Sequence, residues 1–230
     1  MRFISVFLAL SCALIVPGDA FGESRAVVYA LDFSKQPDGD AVSWLKRQGF
    51  EFQLNAHELS PRFQRGRLVL ETTREVAGLF VQRNNPQTNQ RATHLRVVWG
   101  VDRYPQGADW ARGVNRLPIA VMVWFGDEEI DSGMMFLPSA PYFLSVFLGE
   151  REEEGRAYLG KYYRRSGRYF CQPCGARPGQ TLTTELPLER HFTEQFRQTL
   201  PPVSGLGFQM NTTDTSGGAR AFLVRIELLR

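Results

Sequence analysis

Residues 99–110 combine the side-chain types that bind sugars. Two tryptophans, one tyrosine, two aspartates and one arginine fall within this short segment, which Pro105 and Gly107 interrupt. Proline and glycine predict a loop. Aromatic rings cover the apolar faces of pyranoses, and charged groups hydrogen-bond to their hydroxyls. The predicted ligand-binding residues are Asp102, Arg103, Tyr104, Asp109, Trp110 and Arg116.

The same rings could instead close one end of a β-sandwich. Burying both Tyr104 and Trp110 would require another element to cover the loop, and the sequence offers only an amphipathic helix that begins at Leu188. We therefore expect at least one of the two rings to be exposed, at a sandwich end or on a concave face.

Cys171 and Cys174 form a Cys-Gln-Pro-Cys motif. A redox pair needs a helix after the first cysteine, and the glycine- and proline-containing residues 175–179 cannot form one. A zinc site would need two more ligands, for which the chain offers His57, His94 and His191. In an oxidising compartment a local disulfide that stiffens a loop is favoured, and half a metal site is the alternative.

A structural calcium ion is an alternative for three carboxylates. Asp214 lies in the polar loop 211–216, and related sandwiches often hold calcium where Asp32 and Glu227, on the first and last predicted strands, could meet. An ordinary turn held by Thr212 and Asp214 is favoured instead. We expect no other cofactor.

Evidence for an enzyme is weak in the sequence. The candidate acids of a glycosidase all fall in turn-like segments: Asp102, Asp109, Asp127, Glu128 and Glu129. No serine nucleophile elbow, phosphate loop or zinc-protease motif occurs, so no catalytic residue is assigned.

One segment resembles a strand of jelly-roll polysaccharide lyases. Residues 163–169 are similar to its Tyr-x-Lys-x-Gly-x-Tyr pattern, with Arg165 in place of the lysine. In those enzymes a tyrosine transfers protons while arginine and histidine neutralise an acidic sugar. The lyases' other motifs, an Arg-rich strand and a Gln-Ile-His strand, are absent.

The amino terminus predicts export. Arg2, an apolar run over residues 3–16 and a small residue at Ala20 indicate a secretory signal peptide over residues 1–20. The run is too short to span a bilayer, and no later segment is apolar enough. Residues 21–230 suit one domain. The net charge of +3, without a basic stripe, does not favour nucleic acid.

Hydrophobic residues alternate with a period of two along most of the chain. About ten strands follow, at 27–33, 50–54, 67–73, 79–82, 94–101, 119–125, 142–148, 157–163, 206–210 and 221–228. Residues 119–125 are apolar at every position, which predicts a central strand. Leu188, Phe192, Phe196 and Leu200 recur every fourth residue, which predicts one amphipathic helix that Pro201 and Pro202 end. The predicted fold is an all-β, two-sheet jelly-roll sandwich with one short helix.

A second resemblance covers nearly all of the chain after residue 20. It is carried by the spacing of Phe33, Trp44 and Gly49, by the strands 66–70 and 95–101, by Gly-Ala-Asp at 107–109, and above all by the loop 211–218. These features resemble the exported bacterial family called domain of unknown function 3047. The plan is also similar to galactose-binding-like and carbohydrate-binding jelly rolls. The resemblance implies a fold and export, and no activity.

Three functions remain open. The favoured one is an exported, non-catalytic protein in the periplasm or outside the cell that binds a glycan or an envelope component. The alternatives are a periplasmic structural or assembly factor with a protein partner, and a jelly-roll polysaccharide lyase.

Overall fold

The computed structural model describes residues 25–83, 85, 91–132, 135 and 137–230. The signal peptide predicted for residues 1–20 lies outside these residues. In the part of the chain that is described, no helix has the length and hydropathy needed to cross a membrane.

Fourteen strands and two α-helices occur in the described residues. The strands are β1 (Val27–Asp32), β2 (Gly39–Asp40), β3 (Glu51–Leu54), β4 (Arg62–Phe63), β5 (Leu68–Thr72), β6 (Ala77–Arg83), β7 (His94–Arg103), β8 (Leu117–Ile130), β9 (Ala140–Gly149), β10 (Ala157–Tyr158), β11 (Gly167–Cys174), β12 (Leu182–Pro187), β13 (Val203–Asn211) and β14 (Ala219–Leu229). The α-helices are α1 (Val42–Arg47) and α2 (Leu188–Phe196), and short 3₁₀ turns span Phe33–Lys35 and Ala56–Leu59.

The strands form two sheets of seven. The first sheet has the order β12-β7-β14-β5-β4-β2, and β1 also pairs with β14. The second sheet has the order β10-β11-β9-β8-β13-β6-β3. Neighbours are antiparallel except β9 and β11, which run parallel. The chain is therefore an all-β, two-sheet jelly roll, as predicted.

Strand β8 lies in the middle of the second sheet, as its apolar sequence predicts. Alternate residues such as Val121 and Val123 face the first sheet and join the main core. The intervening residues Met122 and Trp124 face outwards, yet they too are buried, in a separate cluster with Phe143. The second sheet thus carries apolar side chains on both faces.

Several elements differ from the sequence prediction. The predicted strand at 157–163 contains only the two residues of β10, and β2, β4, β11 and β12 were not predicted. Trp44 belongs to α1, a second helix of six residues. Helix α2 ends at Phe196, earlier than the prolines, because Arg197 takes a left-handed conformation with φ 58°.

Cys171 and Cys174 are joined by a disulfide, which confirms the favoured prediction. The bond lies at an irregularity near the end of β11, where the pairing with β9 shifts between Cys171 and Cys174. It therefore bridges a bulged strand and not the loop we expected.

Candidate functional site

The register of the second sheet arranges its outward side chains in rows. One row crosses five strands and consists of Arg83, Gly205, Trp124, Phe143 and Gly167. The adjacent row consists of Val81, Gly207, Met122, Ser145 and Tyr169. Large rings therefore lie beside glycines of neighbouring strands.

Those glycines leave room for the rings. A Cβ at Gly207 would lie 2.9 Å from the Trp124 ring and 2.5 Å from the carbonyl oxygen of Phe80. A Cβ at Gly167 would overlap the ring of Phe143. Trp124 and Phe143 can thus pack against the backbone of the next strand.

The rings on this face form one continuous group, which we call the aromatic band. Centroid distances are 4.7 Å from Trp110 to Phe147 and 4.8 Å from Trp110 to Tyr169. Phe143 is 5.5 Å from Tyr169 and 6.4 Å from Tyr163. Trp124 completes the band at 6.0 Å from Phe143.

A cleft of about 400 Å³ lies over the aromatic band. Polar side chains border it, namely Gln53, Asn115, Gln209, Asn211 and Thr213. Three cationic side chains also line it: Arg83, Arg116 and Lys161. No aspartate or glutamate occurs among the described lining residues. Ring faces, amides and cations can pack against an organic ligand and hydrogen-bond to it.

Arg116 is held firmly at the rim of this cleft. Its Nε donates to the carbonyl oxygen of Thr213 at 2.6 Å, and its Nη1 donates to that of Asn115 at 3.0 Å. Its Nη2 forms an ion pair with Asp214. These contacts fix the loops before β8 and after β13 against each other.

Tyr163 and Tyr169 of the cleft stay protonated at neutral pH. Burial raises the pKa of Tyr169 to about 12, although a side-chain hydrogen bond with Gln209 opposes the increase. Burial also raises the pKa of Tyr163, opposed by the charge of Arg83 and reinforced by that of Glu129. Both phenols can therefore donate hydrogen bonds to a ligand.

The expectation of an exposed ring in segment 99–110 is wrong. Tyr104 is 7% exposed, and its hydroxyl donates to the carbonyl oxygen of Ala176 at 3.0 Å. Trp110 is 6% exposed, and its indole N–H donates to the carbonyl oxygen of Arg116 at 3.0 Å. The loop after β11 covers Tyr104, and Trp110 folds onto the outer face of the second sheet. Helix α2, the element that the sequence offered for this purpose, covers neither ring.

Strand β7 extends to Arg103, two residues beyond the predicted strand 94–101, so the loop begins later than predicted. Trp99 lies within β7 and is fully buried, with its indole N–H donating to the hydroxyl of Thr184 at 2.9 Å. Pro105 and Gly107 follow only after β7 has ended. The turn signals therefore marked the end of a strand.

The remaining predicted ligand-binding residues make local contacts elsewhere. Asp102 accepts a hydrogen bond from Arg220 at 3.0 Å, on the first sheet. Arg103, on the same strand, donates to the carbonyl oxygen of Thr72 at 3.0 Å. Asp109 accepts from the backbone N–H of Arg112 at 3.0 Å. Of the predicted set, the structure brings only Trp110 and Arg116 to the cleft.

The carboxylates suggested for calcium contact arginines. Strands β1 and β14 do pair, but Arg225 lies 2.9 Å from Asp32 and 3.3 Å from Glu227. Asp214 pairs with Arg116 instead. Within the described residues, no group of three or more histidine, cysteine, aspartate or glutamate side chains could hold a metal ion.

Sequence reasoning placed residues 119–125 on a central strand and did not identify Trp124 as part of the aromatic band. The available signal was its position on a strand that is apolar at every residue, together with glycines at alternate positions 205 and 207. A strand with two apolar faces, beside a strand with small residues on one face, indicates rings packed on the outside of a sheet.

No protein-family model and no curated protein matches the chain. Solved structures are similar at low identity. One is described as "BiXyn10A CBM1 APO", with 7% identity, 89% of this chain and 98% of that chain covered, and a TM-score of 0.37. The Ca²⁺/Man3GlcNAc-bound exoplasmic/lumenal domain of VIP36 has 12% identity, 88% of each chain covered and a TM-score of 0.39.

A legume lectin-like domain from Entamoeba histolytica is also similar, at 7% identity. The alignment covers 88% of this chain and 97% of that chain, with a TM-score of 0.37. These neighbours are carbohydrate-binding and lectin folds. At such TM-scores the likeness supports no argument about the ligand or activity of this chain.

Proposed function

We propose that the protein is a non-catalytic binding protein that holds a glycan in the cleft over the aromatic band. The supporting observation is the composition of that cleft: rings, amides and cations line it, and no described lining residue is a carboxylate. A sugar presents an apolar ring face and a rim of hydroxyls, so it complements such a surface. A site built from a few ring contacts and hydrogen bonds binds weakly, at roughly micromolar to millimolar concentrations.

We further propose that the protein is exported, because residues 1–20 have the pattern of a signal peptide. The resemblance to domain of unknown function 3047 is consistent with export and stays a prediction. The ligand would then be a glycan or an envelope component met in the periplasm or outside the cell.

The binding proposal is tested by a glycan array followed by calorimetry on the chain from residue 21. Tyr162 is 44% exposed and lines the cleft, so Tyr162→Ala should weaken binding about tenfold while the protein stays folded. The matched control is Tyr142→Ala, because Tyr142 is half-buried against α2, outside the cleft. Absence of binding to every glycan, or equal losses for the two variants, would contradict the proposal.

A protein partner is the second candidate. Leu54 is 69% exposed and lines the cleft, and Leu159 is 40% exposed and lines an adjacent pocket that shares Trp110, Arg116 and Lys161 with the cleft. Exposed apolar side chains that cluster on one face favour a protein contact. An assembly factor would co-purify with its partner and bind no sugar.

The lyase alternative also has one observation in its favour. Tyr163 and Tyr169, the ends of the lyase-like segment, both line the cleft. Arg165, at the position of the lyases' lysine, is not among the lining residues and lies 3.6 Å from Asp131. The raised pKa values make both phenols poor proton acceptors at neutral pH. Ultraviolet-absorbing unsaturated products from acidic polysaccharides would establish a lyase.

A further inference from the structure

We infer that the glycan bound in this cleft is acidic and carries carboxylate groups. The inference rests on the proposed function and adds the chemical class of the sugar. It is carried by the charges around the cleft and by the contacts that leave some of those charges unpaired.

The cations reach the cleft from three separate segments. Arg83 ends β6, Arg116 precedes β8, and Lys161 lies in the loop between β10 and β11. The described lining contains no acidic residue. Among the internal residues that the structure does not describe, 84, 86–90, 133–134 and 136 contain no aspartate or glutamate in the sequence. The described lining therefore has a positive formal charge.

Two of the three cations are free to meet a ligand. Arg116 is neutralised by Asp214. Across the described residues, neither Arg83 nor Lys161 has a carboxylate oxygen within 4.0 Å. Lys161 instead lies 5.6 Å from the ring centroid of Tyr162. An unpaired cation beside an aromatic ring is suited to a sugar that combines a carboxylate with an apolar ring face.

Acidic residues lie beside the cleft, and the charge of one of them, Glu129, acts on Tyr163. Asp127 and Glu129 line a smaller depression of about 210 Å³, together with Arg83 and Trp124. Arg83 therefore stands between a carboxylate-free cleft and an acidic depression. Like charges repel, so an anionic chain should lie over the aromatic band and avoid the depression.

The first experiment compares a sugar with and without its charge. Calorimetry measures binding of galacturonate, mannuronate and glucuronate oligomers, of their methyl esters, and of neutral cello-, xylo- and manno-oligosaccharides. We expect at least one acidic oligomer to bind, its methyl ester to bind at least tenfold more weakly, and the difference to shrink as salt is added.

The second experiment removes the unpaired cations. Arg83→Gln and Lys161→Gln should each weaken binding of the acidic oligomer about tenfold and weaken binding of its ester by a clearly smaller factor, because the ester keeps only the hydroxyl contacts. The control is Arg177→Gln, because Arg177 is an exposed arginine in the loop after β11, outside the cleft. All three side chains are exposed, so the variants should unfold at the temperature of the native chain.

The outcomes separate the two proposals. If a neutral oligosaccharide or the ester binds as tightly as the acid, the acidic class is wrong and the glycan-binding function stands. If the cation variants bind the acid normally, the charge assignment is wrong. If no sugar binds, the proposed function fails and this inference fails with it.

Discussion

Trp110 acts as a structural residue at the edge of the cleft. Its ring contacts Phe147, Tyr158 and Tyr169, and only 6% of the residue is exposed. Trp110→Ala should therefore lower the free energy of unfolding by about 3–5 kcal/mol, measured by denaturant titration. Trp110→Phe should lose less because it keeps a ring on Phe147. A Trp110→Ala protein that unfolds like the native one would show that the ring is not part of this core.

Gly207 sets how closely Trp124 can approach β13. Gly207→Ala places a Cβ 2.5 Å from a backbone oxygen and 2.9 Å from the Trp124 ring, so it should destabilise the protein by about 1–3 kcal/mol. Gly205→Ala is the matched control, since its nearest contacts are 3.3 and 3.4 Å. Thermal unfolding followed by tryptophan fluorescence compares the two variants. Equal melting temperatures would contradict the packing described.

Tyr169 should make the protein less stable as the pH rises into the alkaline range. Its folded-state pKa of about 12 exceeds the ordinary value of 10.0, so the unfolded state loses its proton first. The stabilising contribution is complete below pH 10 and is lost between pH 10 and about 12. Denaturant unfolding across this range should show a smaller decline for Tyr169→Phe than for the native chain. Parallel declines would mean that the phenol is not protected.

For single residues, the sequence predicted which side-chain types line the cleft better than it predicted which residues of those types come together there. It indicated aromatic and cationic side chains for a sugar site, and Trp110 and Arg116 do reach the cleft. It did not predict Tyr163, Tyr169 and Trp124 as a group, because their proximity depends on which strands are neighbours. The parallel pairing of β11 with β9 sets that proximity, and a periodic pattern carries no information about it.

Strand β11 is the longest strand that the sequence did not predict. The alternation of apolar and polar residues in β11 is interrupted at Pro173 and at the Cys171–Cys174 bond. A segment with two turn-forming residues, here Gly167 and Pro173, normally indicates a loop. Strands β2 and β4 have two residues each and α1 has six, which is too short for a period to be recognised. The longer strands β7, β8, β9, β13 and β14 all contain the segments predicted for them.

The bulged end of β11 leads to a prediction for its cysteines. Because Cys171 and Cys174 are bonded, native protein from residue 21 should show no free thiol on labelling without reductant. Reduction should expose two, and the protein should stay folded because the bond closes a loop of only a few residues. One or two reactive thiols in exported native protein, or bound zinc, would contradict the assignment.

For the whole molecule, the sequence predicted the two-sheet architecture because that architecture follows from period-two patterning along most of the chain. Export remains a prediction. Protein recovered from the exported fraction should begin at or near Phe21, as intact-mass measurement would show. A retained amino terminus in a cytoplasmic fraction would contradict the signal peptide.

Strand β14 pairs with β1, β5 and β7, and all three precede it in the sequence. A chain that is synthesised from its amino end cannot complete the first sheet until residues 219–229 are available. Until then β1, β5 and β7 lack their common neighbour, and unpaired strand edges invite association with other chains. Folding of this protein should therefore benefit from a chaperone that shields those edges until the last segment is available.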